Sequence, residues 1–404
     1  MTEAKPSITA ETISRLAGQK APAARAIRRL LHQYPETLYE ELQTAEIIRA
    51  ELERLAIAFE AGVAGAPTAT IAHIGDRSRT CVALRADIDA LPIIEQSDAP
   101  HKSQNPGRMH ACGHDGHVAS LLGAAAVLRE LERHLPVCVK LIFQPAEEGG
   151  GGAQRLIEAG VLDGRIGPAP ETIFGLHGWP TLPVGMISTK SGPLLAATDN
   201  FTATFHGKGA HGAFPHLGRD PIVAASEAVL SLQQIVSREV NPVDSAVITI
   251  GKFNSGTAVN VIPESATIEG TARTLSAAVR DAVGQAISRR LRAVAAGHDL
   301  RLEFRWDEGY PVTINDPEMA AYVAHMVKAQ FGADRFIAAA APSMGGEDFA
   351  YYLEQTPGCF VMLGLRPESV HECPGLHHPQ FDFNDDALPT AIQLLVALAV
   401  GRGT

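Results

Sequence analysis

Apolar runs too short to be helices constrain this chain most. Residues 80–84, 137–143, 172–176 and 359–363 are four such runs, and helical patterns at 118–131 and 154–159 separate the first three. A run of that length bounded by polar residues reads as a strand buried on both faces. Strands alternating with helices imply an α/β layer with a largely parallel sheet. A helical pattern at 23–59, carried by Leu31, Leu38, Ile48 and Leu52, precedes the first strand, and helices at 317–331 and 388–400 close the chain.

The middle of the chain has a different grammar. Residues 201–205 alternate as FTATF, 221–236 are helical, 246–253 and 266–274 read as strands, and 300–306 alternate again as LRLEFRW. The stretch 275–294 is amphipathic, with Gly297 its expected C-cap. In order this is β-α-β-β-α-β, a ferredoxin-like arrangement. The predicted organisation is one α/β catalytic domain, residues 1–191 with 310–404, interrupted by an insertion at 192–309.

Charge narrows the possible partners. Lys and Arg number 34 against 45 Asp and Glu, a net −11 with neutral histidines, which disfavours nucleic acid and anionic membrane surfaces. The basic groups Arg28–Arg29 and Arg289, Arg290 and Arg292 are expected on solvated helix faces. The apolar stretches stop short of the roughly 18–20 residues that cross a bilayer, and no apolar segment follows the first charges, MTEAKPS. Five scattered cysteines without an export signal predict reduced thiols in a cytoplasm.

The chemistry gathers at the ends of the apolar runs. HACGHDGH, at 110–117, places Cys112 and His114 two apart with glycine between, so a turn lets both face one point. Thiolate and imidazole suit zinc and its neighbours, although a surface histidine loop is the alternative for this segment alone. The run 137–143 leads into Gln144, Pro145, Ala146, Glu147, Glu148 and four glycines. Adjacent carboxylates repel unless a cation lies beside them, and a solvated glycine linker is the alternative there. The run 172–176 ends at His177, and a loop with His371, His377 and His378 follows 359–363. Four such coincidences predict one or two divalent ions, with a spare carboxylate to take a proton from water. His73 and His325 are expected to be ordinary surface or interface histidines, and Glu347 and Asp348 to line the site or to cap a helix at 349–353. A weaker alternative is a serine hydrolase, because APSMG at 341–345 resembles a nucleophile elbow around Ser343 without its first glycine. Another is a binding protein that keeps such a fold without its chemistry.

RADIDALPI (85–93), HACGHDGH, FQPAEEGGGGA (143–153), GLHGWP (175–180), GKGAHGAFPH (207–216), AVNVIPE (258–264), MGGEDFAYYL (344–353) and LHHPQFDFND (376–385) occur in that order. Together they resemble the M20 metallopeptidase superfamily in its amidohydrolase branch, with aminoacylase-, hippurate-hydrolase- and auxin-conjugate-hydrolase-like enzymes, over nearly the whole chain. The resemblance implies two divalent ions, Mn or Zn with Co or Ni as alternatives, held by Cys112, His114, Glu148, His177 and His377. It implies Glu147 as general base, with Asp87 and Asp89 orienting the ligands from behind. Asp87 stands where peptidase-type relatives keep a metal histidine, so Cys112 is expected to take over that duty and to bridge the ions. The insertion is expected to be a lid and dimerisation domain, with His211 donating to the scissile carbonyl and Asn260 and Arg273 holding substrate. The implied activity is hydrolysis of N-acyl amino acids in a homodimer or homotetramer, with a dipeptidase or carboxypeptidase as the alternative.

Overall fold

The structure, a computed structural model, describes residues 8–63 and 65–403. The segment MTEAKPS lies outside the described residues. The chain divides into two compact units. One runs up to Leu194, resumes at Ile314–Ala340 and again from Asp348; the other is Leu195–Thr313 with Ala341–Glu347.

The first unit is built on an eight-stranded sheet, ordered Phe59–Val63, Ala66–Ile74, Cys138–Gln144, Cys81–Asp87, Thr172–Pro183, Gly358–Arg366, Ile187–Thr189 and Phe336–Ala338. Four neighbouring strands at its centre, Cys138–Gln144 through Gly358–Arg366, run parallel, while Ala66–Ile74 joins one side of them antiparallel. Burial on both faces is what makes these strands read as continuous apolar runs. Val82, Leu84 and Ala86 point into a core shared with the helices Ala10–Gln33, His114–Glu130 and Leu388–Val400. Ala83, Arg85 and Asp87 therefore point to the opposite face.

The single helical pattern expected at 23–59 is two helices, Ala10–Gln33 and Leu42–Arg54. Pro35 ends the first, because the residue before proline is driven away from the helical region. Arg28 is not on a solvated face: it is fully buried and pairs with Asp115 and Asp382. Arg289 and Arg290 do lie at the surface, bonded to Glu239. His73 is buried rather than superficial, and burial with nearby Lys140 pushes its pKa down to about 4.

The second unit holds a four-stranded antiparallel sheet ordered Ala246–Ser255, Ser265–Thr274, Ala197–His206 and Arg301–Glu308. Helices Pro221–Arg238 and Ala277–Gly297 pack on it through Ala224, Leu232, Ile287 and Leu291, against Phe201, Ala203 and Ile268. Asp220 caps the first helix and Ser276 the second. Gly297 is the last helical residue and not the cap; the left-handed position falls at Asp299. The segment Ala341–Glu347 adds a bridge between Leu195 and Ser343 and a hydrogen bond from Ala196 N–H to the Gly345 carbonyl at 2.8 Å. Among the described residues no helix is long and apolar enough to cross a membrane.

Candidate metal centre

The centre lies in the first unit, where loops leave the parallel strands. Gly113 takes φ 87°, a value that favours glycine, and turns the chain from Cys112 into the helix that starts at His114. His177 is inside a strand that runs on to Pro183, not at its end. His377 and Ala146 both adopt left-handed backbone, at φ 63° and 56°. Such conformations persist where the surroundings over-determine them. The His377 amide donates to the Ala111 carbonyl at 2.8 Å, and the Ala146 amide to the buried Glu41 carboxylate at 3.1 Å.

The donor atoms converge. Those of Cys112, His114 and His177 lie within 4.8 Å of one another, as do those of Cys112, Glu148 and His377, and those of His114, Glu147 and Glu148. Cys112 belongs to two of these groups. His114 Nδ1 donates to the Asp89 carbonyl at 2.9 Å, so once the ring is neutral the lone pair is on Nε2, an atom that is buried with no hydrogen-bond partner among the described residues. His177 Nδ1 donates to the Gly178 carbonyl at 2.8 Å, so its Nε2, 3.3 Å from the Cys112 sulfur, is likewise an acceptor. Two imidazole lone pairs, a thiol and carboxylates aimed at one volume fit divalent ions.

His117 is close by but engaged elsewhere. Its Nδ1 donates to Asp87 Oδ1 at 2.6 Å and its Nε2 accepts the Gly178 amide at 2.9 Å, so no lone pair is left for a metal. Asp87 also takes a 2.7 Å bond from Arg85. The Asp89 carboxylate accepts the amides of Glu147 at 3.0 Å and Glu148 at 2.9 Å, fixing the loop that carries both. Gly150 and Gly152 are there for close packing: a Cβ at Gly152 would stand 1.7 Å from the Pro145 carbonyl oxygen.

The electrostatics ask for positive charge. Burial pushes the Cys112 thiol well above its ordinary pKa, and Glu148, Glu147 and Asp87 push it further. Burial opposes a charge on His114, yet Asp87, Asp89 and Glu148 hold its pKa at about 10. Burial keeps His177 well below its ordinary value and so neutral. A thiolate and two neutral imidazoles become the stable forms once cations share the site.

The remaining residues singled out in the sequence lie outside these three donor groups. His371 and His378 are exposed, and His378 Nδ1 accepts the Gln380 amide at 3.1 Å. Asp348 caps no helix but does sit beside the centre, as the other expectation had it: it is fully buried, bonded to Arg85 and Gln144, and its carboxylate lies within 4.8 Å of donor atoms on Glu147 and Glu347. Ser343 lies in no strand-to-helix elbow, and its hydroxyl accepts the Gly345 amide at 3.1 Å. His211, Asn260 and Arg273 belong to the second unit. His211 is exposed on a two-residue strand paired with Val261–Ile262, and its Nδ1 accepts the Ala213 amide at 3.0 Å, which leaves Nε2–H a donor. Asn260 is exposed in the adjoining turn, its carbonyl accepting the Gly212 amide at 2.8 Å. Arg273 is half-buried, with its guanidinium bonded to Thr271 Oγ1 and the Ala272 carbonyl, and it is in no ion pair among the described residues. Sequence reading missed Arg85, Gln144, His117 and Glu41 as parts of the centre; a charged residue at the end of an apolar run was the available signal for Arg85.

Residues 83–400 match the profile of Peptidase family M20/M25/M40. The chain is 43% identical over 377 residues to an N-acetyl-L-cysteine deacetylase of Bacillus subtilis, covering 91% of this chain and 85% of that one. It is 40% identical to IAA-amino acid hydrolase ILR1-like 4 of Arabidopsis thaliana, over 92% of this chain and 84% of the relative. Among solved structures it is similar to the YxeP protein of Bacillus subtilis, described as a dinuclear metal binding peptidase from M20 family, with 38% identity, a TM-score of 0.81, and coverage of 95% and 99% of the two chains.

Proposed function

The chain belongs to peptidase family M20/M25/M40, and from that premise we propose that it hydrolyses N-acyl amino acids to a carboxylate and a free amino acid, using two divalent ions. It is a metal-dependent hydrolase acting on amides. The observation that carries the two-ion reading is the position of Cys112, whose sulfur lies within 4.8 Å of two separate sets of donor atoms. On this reading Cys112, His114 and His177, together with Glu148 and His377, would hold the ions. The thiolate favours Zn, while Mn, Co and Ni remain compatible with imidazole and carboxylate.

Divalent ions held there would polarise the scissile carbonyl and bring the pKa of water down towards about 7. Glu147 takes the proton from that water and delivers it to the leaving amine. Its amide is bonded to Asp89 at 3.0 Å, which supports a fixed position for the base. Asp89 also sets the tautomer of His114 through its carbonyl, and Asp87 that of His117. We assign substrate recognition to the second unit's residues: the His211 Nε2–H suits a carbonyl oxygen, the Asn260 side chain a polar edge, and the Arg273 fork a carboxylate. For assembly we propose a homodimer or homotetramer through that unit, supported by the exposed Ile222, Leu230 and Phe253 on one helix and an edge strand. We place the enzyme in a cytoplasm, because its five cysteines are all free.

Elemental analysis, combined with hydrolysis of N-acetyl, N-benzoyl and N-indolylacetyl amino acids before and after chelation, tests this reading. Near two divalent ions per chain, and activity lost on chelation and regained with metal, are expected. Chelator-indifferent activity without bound metal would overturn it.

A further inference from the structure

Beneath the Glu147 loop lies a buried set of polar side chains that the mechanism above does not use. Arg85, on the sheet face opposite the helical core, is 2% exposed and reaches three partners at once. Its Nη1 donates to Asp87 Oδ2 at 2.7 Å, its Nη2 to Asp348 Oδ1 at 2.7 Å, and its Nε to Gln144 Oε1 at 2.9 Å. The Phe349 ring lies 5.8 Å from the guanidinium carbon. Gln144 in turn donates its amide to both Asp348 oxygens at 2.8 Å. A planar guanidinium is the group that can serve two carboxylates and an amide in fixed directions together.

Asp348 passes this rigidity on. Its Oδ2 accepts the Ala153 amide at 2.9 Å, which pins the far end of the glycine-rich loop. Its own backbone amide points at Glu147 Oε1, at 3.4 Å. The other Glu147 oxygen, Oε2, is then turned towards His114, 4.0 Å from Nε2. One carboxyl oxygen is held by the protein and its twin faces the donor cluster, the division a general base needs. Meanwhile Arg85 fixes Asp87, which holds His117, which accepts the Gly178 amide next to His177. One buried cation thus ties the general-base loop to the strand that carries a metal-facing histidine.

We infer that Arg85 and Asp348 are positioning residues that aim Glu147 at the metal-facing cluster, touching neither metal nor substrate themselves. The inference rests on the reading of Glu147 as general base, but its geometric half can be tested without any activity. Two variants separate the parts: Asp348→Asn keeps the shape and removes the charge pair, and Arg85→Lys keeps the charge and removes the fork.

The first readout is hydrogen exchange on metal-free protein. Both variants should speed exchange of the 146–153 amides at least roughly tenfold, the cost of losing a charge-assisted bond, with the 138–144 strand unchanged. The second is steady-state kinetics on metal-saturated enzyme. There kcat should fall roughly 10- to 100-fold, as for a misplaced catalytic group, with KM and metal stoichiometry near wild type. The double variant should lose no more than the worse single one, since both break one unit. Wild-type exchange in that loop, or a loss confined to KM or repaired by added metal, would overturn the inference. If one variant fails to fold, the other decides. If wild-type protein hydrolyses no N-acyl amino acid, the functional reading fails, while the exchange result still decides the brace.

Discussion

The Cys112 sulfur lies 3.3 Å from His177 Nε2, across 65 residues of sequence, with the buried, unpartnered His114 Nε2 in the same group of donor atoms. Near neutral pH in metal-free protein, Cys112 keeps its proton, because burial and three carboxylates raise its pKa, and His114 keeps a second one, with a pKa of about 10. Metal binding must displace both. Protons therefore compete with metal below these values, so apparent affinity rises with pH from 6 to 8. Calorimetry in buffers of different ionisation enthalpy should find close to two protons released per chain at pH 7, and about one for Cys112→Ser. Metal uptake with no proton release would refute the ligand roles of Cys112 and His114.

Glu147→Gln tests the general base. Gln keeps the shape of the side chain and accepts no proton, so metal content should be that of wild type while kcat falls by roughly 10²–10⁴. Turnover within twofold of wild type would remove Glu147 from the mechanism.

Arg273→Lys tests carboxylate recognition. Among the described residues the Arg273 fork is in no ion pair, and Lys offers a point charge in its place. KM for an N-acyl amino acid should rise roughly tenfold, and the same substrate with its carboxylate amidated should not distinguish the two enzymes. Equal losses on both substrates would assign Arg273 to the strand alone.

What the sequence made legible follows from period and from strand ends. The runs at 137–143 and 359–363 became strands because both faces are buried, which leaves an apolar run as the trace. The helices Pro317–Phe331 and Leu388–Val400 were bounded by proline near their first turn, a signal independent of packing. HACGHDGH declared its donors, yet not which histidine would be spent on Asp87. His114 and His117 are three apart on one helix face, and only the tertiary placement of Asp87 and Gly178 separates their roles. Of the two readings open for Asp348, lining the site or capping a helix, the cap fails although an acid before a helix often is one, because the side chain turns inward to Arg85 and Gln144. Its partners Arg85 and Ala153 lie far away in sequence, and local pattern carries no trace of them. Buried Arg28 was misread for the same reason: Asp115 and Asp382 are remote, and a basic pair in a helix looks solvated without them.

The pair formed by His32 and Asp115, 2.8 Å apart and fully buried, makes stability depend on pH. Burial opposes the His32 charge, but Asp115 and Glu95 raise its pKa to about 9, above the unfolded value of roughly 6.5. The folded state holds this proton more tightly, so the stabilisation is complete below pH 6.5 and lost as pH climbs through about 9. The shift corresponds to roughly 3 kcal/mol at most. Denaturant melts at pH 6 and pH 9.5 should show wild type losing more stability than His32→Asn over that interval. Parallel losses in both proteins would mean that His32 is neutral in the fold.

Gly152 lets the base-bearing loop close on itself. It opens the helix Gly152–Ala159, and a Cβ there would lie 1.7 Å from the Pro145 carbonyl oxygen and 2.9 Å from its carbon. The obstacle is backbone, so no rotamer relieves it, and the loop must open between Gln144 and Ala153. That movement would break the Ala153 bond to Asp348 and shift Glu147 from its place on Asp89. Gly152→Ala should thus lower kcat at least roughly 100-fold and destabilise the fold by about 1–3 kcal/mol, the usual cost of overpacking. Gly151→Ala is the control: its φ of 64° is left-handed, but a Cβ there meets nothing within 4 Å. It should cost roughly 1–2 kcal/mol of backbone strain with a smaller loss of kcat. Equal kinetic losses in the two variants, measured on folded protein with full metal, would show that the loop needs flexible glycines and not close approach at Gly152.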